Sequence, residues 1–279
     1  MPRERITAVE IIEMIDDGQD VHYENVEIVG DVDFTNVYND DVVDEDTSCI
    51  DALVAFVNCL FTGMVAGYNE DNLTSFAQFE NDVTFAGCRF EGTVDHSYAR
   101  FFGAFDCENA QFAADVSFAE SAFAGQTWFG GVQFLGGGGV DFGLAHFSTG
   151  VDFDNTRFAG NANFLAVGFA QDARWKNAQF LDHARFYARA DLTGARFSKH
   201  ADFDGAVFSG DACFTAAQFS SGSGFGEAQF SRDVDFGSVT FFETPVFWNT
   251  NFEGNGYFGD VTCQGRPFDP VNQEINRVI

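Results

Sequence analysis

Large apolar residues, most of them Phe, recur along most of the chain at a spacing that alternates between five and six residues, so the repeating unit is 11 residues. A small or β-branched residue stands two places before each large one, as Val151 does before Phe153 and Ala173 before Trp175. Residues two apart on an extended strand point to the same side. A helix, with its period of 3.6 residues, does not keep this register.

Each segment therefore predicts a short strand that points one small and one large side chain inward, with a polar residue between them facing solvent. Turn-forming Gly, Asp, Asn and Ser follow the large residue, as in FSGDACF from Phe208 to Phe214. Four strands with a bend after each close one square coil, and coils stack about 4.8 Å apart. The predicted ladder of large inward residues is Phe153, Phe158, Phe164, Phe169, Trp175, Phe180, Phe186, Leu192, Phe197, Phe203, Phe208, Phe214, Phe219, Phe225, Phe230 and Phe236.

Extending the same spacing in both directions, from Phe79 to Cys263, predicts about eight coils and a rod of roughly 40 Å. Three irregular segments interrupt the pattern, and we expect loop insertions there, at residues 36–48, 62–75 and 135–140. The step from Phe186 to Leu192 is a six that follows another six. This change of phase predicts a corner with one extra residue.

The recurrence of a small residue followed two places later by Phe or Leu resembles the pentapeptide-repeat family in its Phe-rich form, over residues 21–263. The resemblance implies an all-β protein: a right-handed quadrilateral β-helix with Phe ladders inside. Stacking of Phe on Phe would then be the main source of stability, because each buried Phe contributes about 1.5 to 3 kcal/mol.

Both ends of a β-helix expose unpaired strand edges, so we expect caps. At the amino end, Thr7 followed by Glu10 is a capping box that predicts an amphipathic helix over 6–18, within a cap of residues 1–20. At the other end, residues 264–279 form a predicted cap or tail, in which Asp269-Pro270 suits the start of a short helix.

The charge balance excludes direct binding of nucleic acid. The chain has 43 Asp and Glu against 14 Lys and Arg, a formal net charge of -29, and such a surface repels phosphate. Its only lysines are Lys176 and Lys199. Many carboxylates with few ammonium groups are typical of a protein from a high-salt cytoplasm, which predicts a halophilic archaeal source. Acidity of this kind keeps a protein soluble and does not determine its fold.

No apolar run is long enough to cross a bilayer, and the amino terminus lacks the apolar core of a secretory signal. We therefore expect a soluble, cytoplasmic protein without a membrane span. The six cysteines show no C-x-x-C pairing, which fits a reducing compartment. Cys59 and Cys88 fall in the small inward slot, and Cys107 and Cys263 fall in the large one.

The five histidines carry no zinc-like spacing, and His96 falls in an inward slot while His146 falls in an outward one. We therefore predict no catalytic, metal-binding or cofactor-binding residues and no cofactor, and we expect that the protein is not an enzyme. A deep pocket lined by Asp182, His183 or His200 would reverse that expectation.

Aromatic residues outside the inward slots predict an interface near the carboxyl end. Phe242, Trp248 and Tyr257 fall at outward positions, and Phe268 lies just beyond them. Exposed aromatic clusters commonly mark an interface with another protein. The alternative is that the final tail folds back over them.

The favoured function is therefore a noncatalytic structural or protein-binding rod with an unknown protein partner, or a homodimer through the carboxyl-terminal end. The family resemblance implies a second function, a DNA mimic that binds and inhibits or protects a type II topoisomerase. Twenty-nine net charges over about 45 Å is close to the charge density of B-DNA. However, residues 1–100 carry a net charge of -18 and residues 101–279 only -11, so the charge does not form an even stripe.

Overall fold

The computed structural model describes residues 3–37, 47–68, 75–181 and 189–268. It confirms the predicted fold class: short strands build four long parallel sheets that form the four sides of a β-helix. The chain visits the sheets in a fixed order, and we number them faces 1 to 4 in that order. Faces 1 and 3 therefore lie on opposite sides of the rod, as do faces 2 and 4.

The strands of faces 1 and 2 follow one another along the rod as consecutive rungs. Those of face 1 are Val21–Glu24, Val54–Val57, Val83–Thr84, Phe105–Asp106, Thr127–Trp128, Val151–Asp152, Ala173–Arg174, Ala201–Asp202 and Ser223–Gly224. Those of face 2 are Arg5–Thr7, Glu27–Val29, Leu60–Phe61, Arg89–Phe90, Gln111–Phe112, Gln133–Phe134, Arg157–Phe158, Gln179–Phe180, Val207–Phe208, Gln229–Phe230 and Asn251–Phe252.

Faces 3 and 4 are built in the same way. The strands of face 3 are Val32–Asp33, Val65–Ala66, Val94–Asp95, Val116–Ser117, Val140–Asp141, Ala162–Asn163, Arg189–Asp191, Asp211–Cys213, Val234–Asp235 and Gly256–Tyr257. Those of face 4 are Thr47–Ile50, Phe76–Phe79, Arg100–Phe101, Ala122–Phe123, His146–Phe147, Gly168–Phe169, Arg196–Phe197, Gln218–Phe219, Thr240–Phe241, Thr262–Cys263 and Arg266–Pro267. A 3-10 turn, Phe34–Asn36, follows the first strand of face 3.

A regular coil takes 22 residues, which is the step from Val83 to its partner Phe105 on face 1. Longer steps show where loops project from the rod. They run from Val21 to Val54, Val54 to Val83, Thr127 to Val151 and Ala173 to Ala201, steps of 33, 29, 24 and 28 residues. The first three of these coils contain the segments in which the sequence predicts insertions. Because the strands keep their register across each one, the extra residues lie at corners.

The fourth long step corrects the prediction of one extra residue near Phe186. On face 3, Ala162 pairs with Ala190, so the rung after Phe164 belongs to Leu192 and a loop of six additional residues precedes it. Phe186 itself lies outside the described residues. The error arose because Phe186 falls by chance at the right distance from Phe180, and spacing alone does not separate a ladder residue from a loop residue of the same type.

The interior is a set of stacked aromatic rings. Rings on the same face lie nearly parallel in consecutive coils, as in Phe214 and Phe236, whose centroids are 4.7 Å apart with planes 1° apart. Rings on neighbouring faces meet edge to face, as in Phe153 and Phe164 at 5.5 Å and 86°. Both geometries suit the ring quadrupole. The predicted ladder residues that the structure describes are buried in this stack.

The four corners are of two kinds. After faces 1 and 3 the corner is tight, and the second residue beyond the large one has a positive φ, such as 57° at Asn155 and 54° at Ala166. In both, the third residue donates its N–H to the carbonyl of the large one, as Thr156 does to Phe153 at 3.2 Å and Val167 to Phe164 at 3.3 Å. After faces 2 and 4 the corner is one residue longer, which explains the alternation of five and six.

The amino-terminal end is closed by a strand and a helix. Thr7 is the N-cap of helix α1, Ala8–Asp16, and the predicted capping box with Glu10 is present. Ile11 and Ile15 on α1 are buried against the first coil. The predicted helix over 6–18 is therefore too long. Its first residues belong instead to the strand Arg5–Thr7, which pairs with Glu27–Val29 because the edge of face 2 is open there.

The carboxyl-terminal end closes less completely within the described residues. Arg266–Pro267 turns back antiparallel on Thr262–Cys263 and covers only face 4. The rings of Phe252 and Phe258, the last of their faces, are half-buried. The short helix predicted at Asp269-Pro270 lies outside the described residues.

The ladder predicts a large loss of stability from a single truncation. We expect Phe153→Ala to lower the free energy of unfolding by about 3 to 5 kcal/mol, because it removes a ring that packs on every side and leaves a cavity. Guanidinium unfolding measures this. Gln133→Ala, on the outer surface of face 2, is the control and should change stability by no more than about 0.5 kcal/mol. Equal losses in the two variants would contradict the ladder.

The positive φ of Ala166 predicts a stabilising substitution. Ala166→Gly should raise the free energy of unfolding by about 1 kcal/mol, because glycine adopts this conformation without strain. Ala159→Gly, at a corner position whose φ is not positive, should lower it by about 0.5 kcal/mol. The same sign of effect at both positions in thermal unfolding would contradict this account of the corners.

Candidate functional site

His96 is buried in the ladder and is not placed for catalysis. It holds the large inward slot of face 3 with only 1% of its surface exposed, and neither ring nitrogen has a hydrogen-bond partner. Gly67 lies one coil before it, and a Cβ there would come within 2.3 Å of its Nδ1 atom. The ring is surrounded by Phe34, Phe79, Phe85, Phe101 and Phe118 at centroid distances of 5.7 to 6.4 Å. Burial lowers the pKa of His96 to about 3, so the ring is neutral and serves as apolar filling.

The other histidines do not converge with His96 or with one another. His22, His146 and His200 are exposed, on face 1, on face 4 and at the corner between those faces. Asp182 and His183, whose pocket would have indicated an enzyme, lie outside the described residues. No group of three or more His, Cys, Asp or Glu among the described residues could hold a metal ion.

The buried cysteines are packing residues. Cys59 and Cys88 stack in the small slot of face 2, where the Cys88 thiol donates to the carbonyl oxygen of Phe56 at 3.2 Å. Cys107 fills a large slot of face 1. Burial raises the pKa of Cys88 and of Cys107, so these thiols stay protonated and are poor nucleophiles.

Many carboxylates bind backbone N–H groups at the corners. Seven strand residues on faces 1 and 3 accept the N–H two residues ahead, and eight corner residues accept an N–H from a neighbouring part of the next coil. The first group is Asp33, Asp95, Asp106, Asp141, Asp152, Asp202 and Asp235. The second is Asp20, Asp31, Asp82, Asp115, Asp154, Asp172, Asp204 and Asp233. These acidic residues fix turns, as aspartate commonly does.

The strand carboxylates are also spaced to avoid one another. On face 3, Asp95 and Asp141 alternate with Ser117 and Asn163 along consecutive rungs. Like charges directly opposite each other in a sheet are destabilising. Around Asp152 and Asp154 on face 1, Arg174 contributes two ion pairs. Burial raises the pKa of Asp154, and this group too has a structural role.

The predicted carboxyl-terminal interface residues take two different positions. Phe242, Trp248 and Tyr257 are 55%, 57% and 53% exposed. Phe268 instead packs at the end of the core, with its ring 6.0 Å from that of Phe241. Val246, 53% exposed on face 1, joins the exposed group. Sequence reasoning missed it because it is a β-branched residue in a strand, with no aromatic signal.

The exposed group surrounds the rod near its end. Phe242 lies at the corner between faces 4 and 1, Trp248 at the corner between faces 1 and 2, and Tyr257 on face 3. We call Phe242, Val246, Trp248 and Tyr257 the terminal collar. With the half-buried rings of Phe252 and Phe258, it makes this end the most apolar surface among the described residues.

No protein-family model matches the chain, and no curated protein matches it. The candidate site therefore depends on the structure alone. None of the described helical residues form a helix with the length and apolar character needed to span a bilayer.

The environment of His96 predicts a pH dependence of stability. Its folded pKa of about 3 lies below the ordinary value of 6.5, so the unfolded chain binds the proton first. The free energy of unfolding should therefore fall as the pH drops below about 6.5, by up to ~1.4 kcal/mol per pH unit. His96→Leu should remove this part of the slope in urea unfolding between pH 6.5 and 5. Identical slopes would contradict the burial of a neutral ring.

Proposed function

We propose that the protein is a noncatalytic rod that binds another protein through its carboxyl-terminal end. The observation that carries this proposal is the difference between the two ends: α1 covers the core at one end, while the described residues leave apolar rings and strand edges uncovered at the other. Uncovered edges pair readily with another chain, and apolar, aromatic-rich patches are typical of protein interfaces.

The occupant of this end is a partner protein with an apolar docking surface. A second copy, giving the homodimer expected from the sequence, is the other form of the proposal. The family resemblance, the halophilic source and the cytoplasmic location stay predictions from the sequence.

The distribution of acidic residues gives less support to DNA mimicry. Fifteen Asp residues bind backbone N–H groups, so the structure explains much of the acidity without a mimicry role. On faces 1 and 3 the strand carboxylates fall on alternate rungs, which is unlike the continuous charge of a DNA strand. In high salt the field is further screened, with a Debye length of about 3 Å at 1 M.

The collar can be tested by replacing its largest ring. Trp248→Ser should abolish capture of a specific partner from an extract of the source cells, with little loss of stability because the ring is exposed. Trp128→Ser, on face 1 in the middle of the rod, is the matched control and should retain capture. Light scattering shows whether the occupant is a second copy. Equal capture by both variants would contradict docking at the collar.

The mimicry alternative has a direct assay. At micromolar protein and the salt of the host, we expect no inhibition and no protection of a type II topoisomerase in a supercoiling reaction. Either effect, if lost on neutralising strand carboxylates such as Asp141 and Asp235 with Asn, would favour mimicry over the protein-binding rod.

A further inference from the structure

One side of the rod is almost free of carboxylates. It consists of face 4 with the residues of the two corners beside it, over seven coils, and we call it the neutral side. Its residues are 97–104, 119–126, 143–150, 165–171, 193–200, 215–222 and 237–242.

The contrast with the rest of the same coils is large. Sixteen Asp and Glu lie between Ser97 and Phe242, and only Glu120 falls on the neutral side. Three of the nine Lys and Arg in that span fall on it: Arg100, Arg196 and Lys199. In a chain with a net charge of -29, this is the side on which a second highly acidic body meets the least repulsion.

The corner between faces 3 and 4 departs from its own conformational preference. At the equivalent corner between faces 1 and 2, nine of ten positive-φ residues are Asn or Gly, the types that tolerate this conformation. Between faces 3 and 4, the eight positive-φ residues are Tyr98, Glu120, Leu144, Ala166, Gly194, Ala216, Ser238 and Asp260. Only one of them is Gly and none is Asn. Local strain that the backbone does not require commonly marks a functional surface.

Exposed apolar side chains lie at the middle of this corner. Leu144, with a φ of 62°, is 56% exposed, and Leu165 is 42% exposed. They occupy neighbouring coils, and the Leu144 N–H donates to the Leu165 carbonyl at 2.8 Å. A large residue held in a left-handed conformation and pointed at water contributes nothing to the core.

We propose that the neutral side is a homodimer interface in which two copies pack antiparallel, with the two-fold axis between the coils of His146 and Gly168. This symmetry sets Leu144 of one copy against Leu165 of the other. It also brings together Glu120 and Arg196, which lie one coil beyond His146 and one coil beyond Gly168. The single carboxylate of the neutral side thus meets an arginine that has no ion pair within the described residues.

The dimensions are sufficient for a dimer of modest affinity. Seven coils span about 30 Å, and one face with its corners is about 18 Å wide. The contact therefore buries roughly 1,000 Å² over both copies, at the lower limit of specific interfaces. This dimer goes beyond the proposed function, because it leaves both terminal collars free and pointing in opposite directions.

Light scattering tests the dimer on the intact protein. We expect a concentration-dependent mass approaching twice 30.6 kDa, and tighter association at higher salt because screening weakens the repulsion between the two acidic bodies. Leu144→Asn should weaken association at least tenfold while raising the melting temperature of the monomer, because Asn relieves the strain. Leu135→Asn, which removes an exposed Leu elsewhere, is the control and should leave association unchanged.

A charge exchange tests the register. Glu120→Arg and Arg196→Glu should each weaken the dimer, and the double variant should restore it. A wild-type protein that stays monomeric at about 100 μM in both low and high salt would overturn the proposal. A dimer that is lost with Trp248→Ser but unaffected by Leu144→Asn would also overturn it, and would assign association to the terminal collar.

Discussion

Stacking of aromatic rings from coil to coil is the interaction on which the rest of the structure depends. Each ring packs against the ring one coil before and one coil after it, so every side of every coil must supply a residue of similar shape at the same height. This constraint explains why one residue type, Phe, fills most slots. It also explains why additional residues leave the rod at corners: a shift within a strand would displace all the later rings from register.

The corners divide the remaining chemistry of the chain. Tight corners after faces 1 and 3 require a left-handed residue and an acceptor for the N–H that follows, and strand aspartates on those faces supply the acceptor. Longer corners after faces 2 and 4 are held by aspartates that reach the next coil. Acidic residues therefore follow the geometry of the turns and collect away from face 4. The same net charge that suggests DNA mimicry as a total is, residue by residue, largely a means of holding the backbone.

Much of the fold follows from the sequence because the repeat is physical: spacing of two specifies the inward pair, and spacing of five and six specifies the corners. The capping box at Thr7 and the inward slots of His96 and Cys88 are confirmed for the same reason. Spacing did not identify Phe186 as a residue outside the ladder, nor the strand before α1, because both depend on which edge is open in three dimensions. The terminal collar was predicted in part, whereas the neutral side becomes visible only when residues 22 apart are placed on one face.

A crystal structure tests the central claim most directly, through the positions of Phe153, Trp175 and Phe203. We expect these three rings to stack in consecutive coils inside the rod, with centroids about 5 Å apart, as they do here at 5.3 and 4.7 Å. Rings that face solvent, or that lie on helices, would contradict the ladder and with it the corners, the faces and both proposed interfaces.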